Sequence, residues 1–142
     1  MRTRQLGSLE VSVVGLGCNN FGMRCDYEQS LAVIDAALDA GITLFDTADI
    51  YGQGTSEDFI GRALEGRRDR VLIATKFGKP MDARPDDSRG SRDYIRWAVD
   101  GSLRRLCTDV IDVYQMHEPD ESTPVGETLA VVHALPLPKG LA

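Results

Sequence analysis

A chain of 142 residues supports one domain with a real hydrophobic core and is too short for two. An apolar share of 42% and a charged share of 27% exclude a disordered chain, and a net charge of −6 with no uncompensated basic stripe argues against a nucleic-acid surface. Three cysteines (Cys18, Cys25, Cys107) stand at no metal-like spacing, no secretory signal is evident, and no run nears the roughly 18 apolar residues of a membrane helix, so the expectation is a soluble cytoplasmic protein with reduced thiols.

Two alternating runs around Arg4–Leu6 and Glu10–Val13, joined by Gly7 and Ser8, predict a small hairpin. VVGLG (13–17) predicts a buried strand directly after it. Asp26 is placed to cap a helix with Leu31, Ile34 and Leu38 on one face, and Gly41 stands where that helix would stop. ITLFD (42–46) is the second predicted strand. Thr55-Ser56-Glu57-Asp58 then fits a capping box, followed by Ile60, Ala63 and Leu64 on one face and a stop at Gly66. RVLIATK (70–76) is a third apolar strand, and FGKPMDARPDDSRG reads as a loop. Ser91 caps a long helix striped with Ile95, Ala98, Val99, Ser102, Leu103 and Leu106. VIDVYQMH (110–117) is the fourth strand, and a fourth helix begins in Thr123–Leu135.

The pattern is β-α four times over, after a hairpin. Continuous apolar strands alternating with amphipathic helices imply a parallel sheet covered by helices, which either a doubly wound sheet or part of a (β/α)8 barrel satisfies. In both architectures the C-terminal strand ends face one side, and that side holds the site. The second predicted strand ends in Asp46 with Tyr51 just beyond it, the third in Lys76, and the fourth in His117. Each alone has an ordinary explanation: a turn-forming Asp, an edge Tyr, a snorkelling Lys, a structural His. Lys76 stands out somewhat, because the chain has 13 Arg and only three Lys.

Together the four permit a definite chemistry. A free tyrosine, with a pKa near ~10, is a poor proton donor at neutral pH, and a neighbouring ammonium favours its phenolate. A carboxylate would fix that ammonium, and an imidazole across the site would donate a hydrogen bond to a carbonyl oxygen. No Ser or Cys nucleophile is paired with a base, and no metal-ligand spacing appears. The set suits carbonyl reduction.

At these residues the sequence resembles the aldo-keto reductase superfamily, through GLGCNNFG (15–22), FDTADIYG (45–52), SEDFIGRAL (56–64), VLIATKFG (71–78) and SLRRLCTDVIDVYQMHEPD (102–120). The resemblance covers about residues 2–133. It implies a (β/α)8 barrel of the TIM type whose floor is closed by the N-terminal hairpin, with about the first four β/α units present in a single partial domain. It implies reduction of aldehydes or ketones with NADPH and no metal. By position, Tyr51 is the general acid, Lys76 its activating partner, Asp46 the partner of Lys76, and His117 the residue orienting the substrate carbonyl. Gly17, Cys18 and Asn19, with Asp46, are expected beside the nicotinamide; Phe21 is expected to line the substrate pocket, and Cys18 to be a pocket neighbour without nucleophilic function.

A full barrel takes about 250 residues, and phosphate groups commonly sit at loops after its strands 7 and 8. The stretch 134–142, with two prolines, is unlike a continuing helix, so a truncated or frameshifted reading frame is expected. Open sheet edges would invite self-association. Three readings follow: an NADPH-dependent reductase present as its N-terminal half, a non-catalytic regulatory subunit of the same fold (some relatives act as partners of ion channels), or an inactive truncated product.

Overall fold

The computed structural model describes residues 1–135. Pro136 and Pro138, on which the expectation of an atypical tail rests, lie outside the described residues.

Thr3–Leu6 (β1) and Leu9–Ser12 (β2) pair antiparallel, with Leu6 opposite Leu9. The hairpin docks through a reciprocal pair of hydrogen bonds: the Ser12 N–H donates to Thr43 Oγ1 (3.0 Å), and the Thr43 N–H donates to Ser12 Oγ (2.9 Å). Thr43 immediately precedes the strand Leu44–Asp46 (β4), so the hairpin sits at the N-terminal end of the sheet, opposite the expected site.

The sheet is parallel, in the order Gly15–Gly17 (β3), β4, Leu72–Phe77 (β5), Val113–Met116 (β6). Tyr27–Asp39 (α1), Thr55–Ala63 (α2) and Arg92–Arg105 (α3) follow β3, β4 and β5 in turn, and Val125–His133 (α4) follows β6. Strand side chains alternate between faces, and the two faces differ. Phe45, Ile73, Thr75, Phe77 and Tyr114 turn toward the helices and are buried, Phe77 stacking on Tyr114 with ring centroids 5.0 Å apart. Leu44, Asp46, Leu72, Lys76 and Val113 on the other face are only half-buried, and Gln115 is exposed. The core therefore lies between the sheet and the helices, where Ile34, Ile60, Ile95, Leu106 and Ile111 complete it.

Local signals set several boundaries. Asp26 caps α1 in a full capping box: its carboxylate accepts from the Gln29 N–H, and the Gln29 side chain accepts from the Asp26 N–H. Ser91 caps α3 by accepting from the Tyr94 N–H. Two expectations need correction. The capping box at Thr55–Asp58 does not form; Thr55 is already helical and its hydroxyl donates to the Gly52 carbonyl (2.7 Å), so the N-cap of α2 is Gly54, in the left-handed region at φ 95°. The strand expected as buried at 13–17 pairs only over Gly15–Gly17, at the sheet's edge, and leaves Val13 and Val14 41% and 49% exposed. The fourth helix starts at Val125, since the Thr123 hydroxyl is already engaged with Asp120 and Ser88.

Candidate active site

All four strand-end residues lie at the C-terminal end of the sheet. Asp46 is the last residue of β4, Lys76 lies one residue from the end of β5, and His117 follows β6 directly, its N–H donating to Phe77 O (2.7 Å) as the ladder's last rung. Tyr51 opens a 3-10 turn, Tyr51–Gly54, between β4 and α2. In that turn Gly52, Gln53 and Gly54 all have positive φ (60°, 53° and 95°). Glycine adopts this region freely, whereas Gln53 is held there against a cost of about 1 kcal/mol or more.

Lys76 is the hub. Its ammonium lies 2.8 Å from each oxygen of the Asp46 carboxylate and donates to the Thr47 carbonyl at 2.8 Å. The lysine side chain is 15% exposed and the aspartate 43%, so the cation is sheltered while its counter-ion still meets solvent. The ammonium stands 5.3 Å from the centroid of the Tyr51 ring. Tyr51 and His117 meet edge to face, centroids 5.7 Å apart and planes at 87°. Burial, and then the cations of Lys76 and Lys79, hold the His117 imidazole below its ordinary pKa of 6.5. It is therefore neutral near pH 7, and its Nδ1 is buried without a hydrogen-bond partner among the described residues.

The loop after β3 divides. Gly17 and Asn19 are exposed at the mouth, while Cys18 is fully buried between them, its N–H donating to Asp46 O (2.8 Å) and its carbonyl accepting from the Ser56 hydroxyl (2.9 Å). Burial first, then the Asp46 carboxylate, push the Cys18 thiol up to about 12, so it is no nucleophile. Cys18 can offer a ligand only its backbone. Phe21, expected in the substrate pocket, is 3% exposed and belongs to the hydrophobic core.

Sequence reasoning missed the Thr47 carbonyl, since nothing in a side-chain pattern marks a backbone acceptor. It also missed Asp120, which ties the rim together by accepting from the Gly90 N–H (2.7 Å) and from the hydroxyls of Ser88 (2.8 Å) and Thr123 (3.0 Å). A cavity of about 290 Å3 between α3 and α4, bordered by Arg96, Val99, Leu103 and Val131, touches none of the strand-end residues.

Among the described residues no helix is long and apolar enough to cross a membrane. Comparison with known proteins gives a consistent answer. The model of the aldo/keto reductase family matches residues 13–140. The Bacillus subtilis oxidoreductase YqkF, itself uncharacterized, is 39% identical, over 95% of this chain and 45% of its own length. The aldo-keto reductase YhdN of the same organism is 41% identical, over 89% of this chain and 40% of its own. Among solved structures, the aldo-keto reductase AKR11C1 from Bacillus halodurans, in its holo form, superposes with a TM-score of 0.83 at 40% identity, covering 94% of this chain and 45% of that one. An aldo-keto reductase from Klebsiella pneumoniae in complex with NADPH superposes with a TM-score of 0.76 at 32% identity, over 87% of this chain and 41% of that one. The four β/α units and their hairpin are thus part of a (β/α)8 barrel, and the chain, spanning a little under half the length of these relatives, belongs to the aldo/keto reductase family.

Proposed function

We propose that the chain is the catalytic N-terminal portion of an NADPH-dependent reductase of aldehyde or ketone carbonyls. The observation that carries this reading is the Lys76 ammonium, clamped by Asp46 and Thr47 and standing 5.3 Å from the Tyr51 ring, with His117 edge-on across it. Tyr51 delivers the proton to the carbonyl oxygen, and the positive charge of Lys76 stabilises the phenolate left behind. Asp46 fixes the ammonium so that it does not wander into solvent. A neutral His117 orients the substrate by donating a hydrogen bond to its carbonyl oxygen.

The residues at the mouth fit a flat nicotinamide. No atom lies within 4 Å of where a Cβ on Gly17 would sit, and Asn19 is exposed beside it. Gly17, Asn19 and Asp46, with the backbone of Cys18, would hold that ring. NADPH, when bound there, supplies the hydride for the carbonyl carbon. The solved relative bound to NADPH supports this choice of cofactor. Three free cysteines suit a cytoplasmic setting.

Among the described residues β3 and β6 each have a single neighbour in the sheet, so each offers one unpaired edge. We include in the proposal that two copies associate through these edges when this stretch stands alone, bringing eight strands together. Sedimentation as a monomer at micromolar concentration would remove that part. The function itself is tested by titrating NADPH against the protein, followed by thermal melting, and by assaying aldehydes and ketones for NADPH consumption. Tyr51→Phe should bind NADPH as before and lose turnover. Saturable turnover undiminished in Tyr51→Phe would overturn the assignment of the acid.

A further inference from the structure

Behind the strand-end residues lies a buried polar layer that the proposed chemistry leaves unused. Glu57, in the first turn of α2, is wholly buried; Oε1 accepts from the Thr75 hydroxyl (2.6 Å), and Oε2 accepts from Arg105 Nε (2.8 Å), with Nη2 at 2.7 Å. Arg105 is pinned from above. A Cβ on Gly54 would lie 2.6 Å from its Cδ, and one on Gly101 would lie 2.9 Å from its Nη1.

Asp49 is the second carboxylate of this layer. It is 1% exposed, and neither oxygen has a hydrogen-bond partner among the described residues. The groups that influence its charge are the Ile50 N–H of its own segment, Glu57 from α2, Arg105 and Tyr94 from α3, and Tyr114 from β6. The Tyr114 hydroxyl is likewise buried without a partner. Glu57 already holds the Arg105 guanidinium, Asp49 forms no ion pair among the described residues, and an unpaired buried charge is strongly disfavoured. Burial and then Glu57 raise Asp49 to about 7, against the weaker opposite pull of the Ile50 N–H and Arg105.

Asp49 also lies in the segment that carries Tyr51, which backbone hydrogen bonds hold. Its N–H donates to Lys76 O (3.0 Å), the Tyr51 N–H donates to Ala48 O (3.2 Å), and the Gln53 N–H donates to Ile50 O (3.0 Å). Gly54, the last of the turn's three successive positive-φ residues, packs closely against the Arg105 side chain.

We propose that Asp49 is a positioning residue for the Tyr51 turn: with its proton it leaves Arg105 to Glu57 and the turn closed, and on losing it Asp49 competes for Arg105 and loosens the turn. No group is consumed; the proton exchanges with solvent. The consequence for catalysis rests on Tyr51 as the proton donor, but the order of the turn does not, so the two readings fail separately.

The test is NMR of the protein labelled in its Asp carboxyls and backbone amides, from acid to mildly alkaline pH, with Asp49→Asn and Glu57→Gln. One carboxyl signal should titrate near pH 7 and vanish in Asp49→Asn. The Gln53 and Gly54 amides should shift and exchange faster with that same midpoint in the wild type, and lose the dependence in Asp49→Asn. In Glu57→Gln, Arg105 is free to pair with Asp49, and the midpoint should move to more acid pH, at a proton concentration about tenfold higher or more. The proposal is overturned if every carboxyl titrates in the ordinary range, if the turn's pH dependence survives in Asp49→Asn, or, should that variant not fold, if the midpoint stays put in Glu57→Gln.

Discussion

Three glycines inside helices occupy contrasting surroundings, and replacing each by alanine measures how closely the helix layer is packed. A Cβ on Gly61 would stand 2.4 Å from Arg105 O, 2.7 Å from Leu106 C and 2.9 Å from Leu106 Cα, all of them backbone. Ordinary contact starts near 3.4 Å, so α2 must withdraw from the end of α3 by about 1 Å. The withdrawal affects Ile60, Ala63 and Leu64, all buried. A gap of that size forfeits about a quarter to half of each dispersion contact it opens, and overpacking costs about 1–3 kcal/mol. Alanine's better helix propensity returns about 1 kcal/mol. We expect Gly61→Ala to be destabilised by about 1 kcal/mol, the overpacking cost less the propensity gain. Gly126, near the start of α4, has no atom of the described residues within 4 Å of its would-be Cβ, so Gly126→Ala should gain about 0.5 kcal/mol. Gly101→Ala falls between, because the atom it meets is the far end of the Arg105 side chain. Urea unfolding at constant m resolves the order from the midpoints. A Gly61→Ala midpoint at or above wild type would refute the packing argument.

Thr75→Val removes the hydroxyl bonded to Glu57 Oε1 and leaves that oxygen buried, costing about 1–3 kcal/mol in the same unfolding assay. Lys76→Met keeps a stem of similar length and leaves Asp46 43% exposed to solvent, so stability should change by less than about 1 kcal/mol. Carbonyl turnover should nevertheless fall by about 10²-fold or more, a split read by pairing melting with kinetics. His117 gives a pH signature. Its folded-state pKa lies below 6.5, so between that value and 6.5 the unfolded chain binds more protons than the folded one. Stability therefore drops as the pH falls through this window, and His117→Asn should flatten that part of the profile in pH-dependent melting.

What the sequence revealed and what it hid differ in range. Asp26 with Gln29, and Ser91 with Tyr94, are partners three residues apart, so their caps can be read from the local pattern. Asp46, Lys76 and His117 are legible because a parallel sheet sends every strand end to one side. Glu57 shows the limit: inside the stretch that fits a capping box between Thr55 and Asp58, its own partners are 18 and 48 residues away. Nothing in the local pattern marks Asp49, whose burial is set by the tertiary fold. The same holds for Phe21, whose place near the mouth in sequence says nothing of the inward turn of its ring. For Val13 and Val14, apolar character suggested burial, while position at the margin of the sheet decided otherwise.

The unequal faces of the sheet bear on how such a polypeptide is made. Phe45, Ile73, Phe77 and Tyr114 find their packing partners within the described residues, on the helix side. A ribosome synthesises from the N-terminus at about 5–20 residues per second, and segments able to bury their apolar surface early can settle as they emerge. In any longer polypeptide carrying this stretch, the helix-covered side can consolidate while later residues are still being translated. The contact between Lys76 and Asp46 joins neighbouring strands of that early layer. The charged centre of the site would then exist before a single later strand had left the exit tunnel, waiting at the rim of an unfinished sheet.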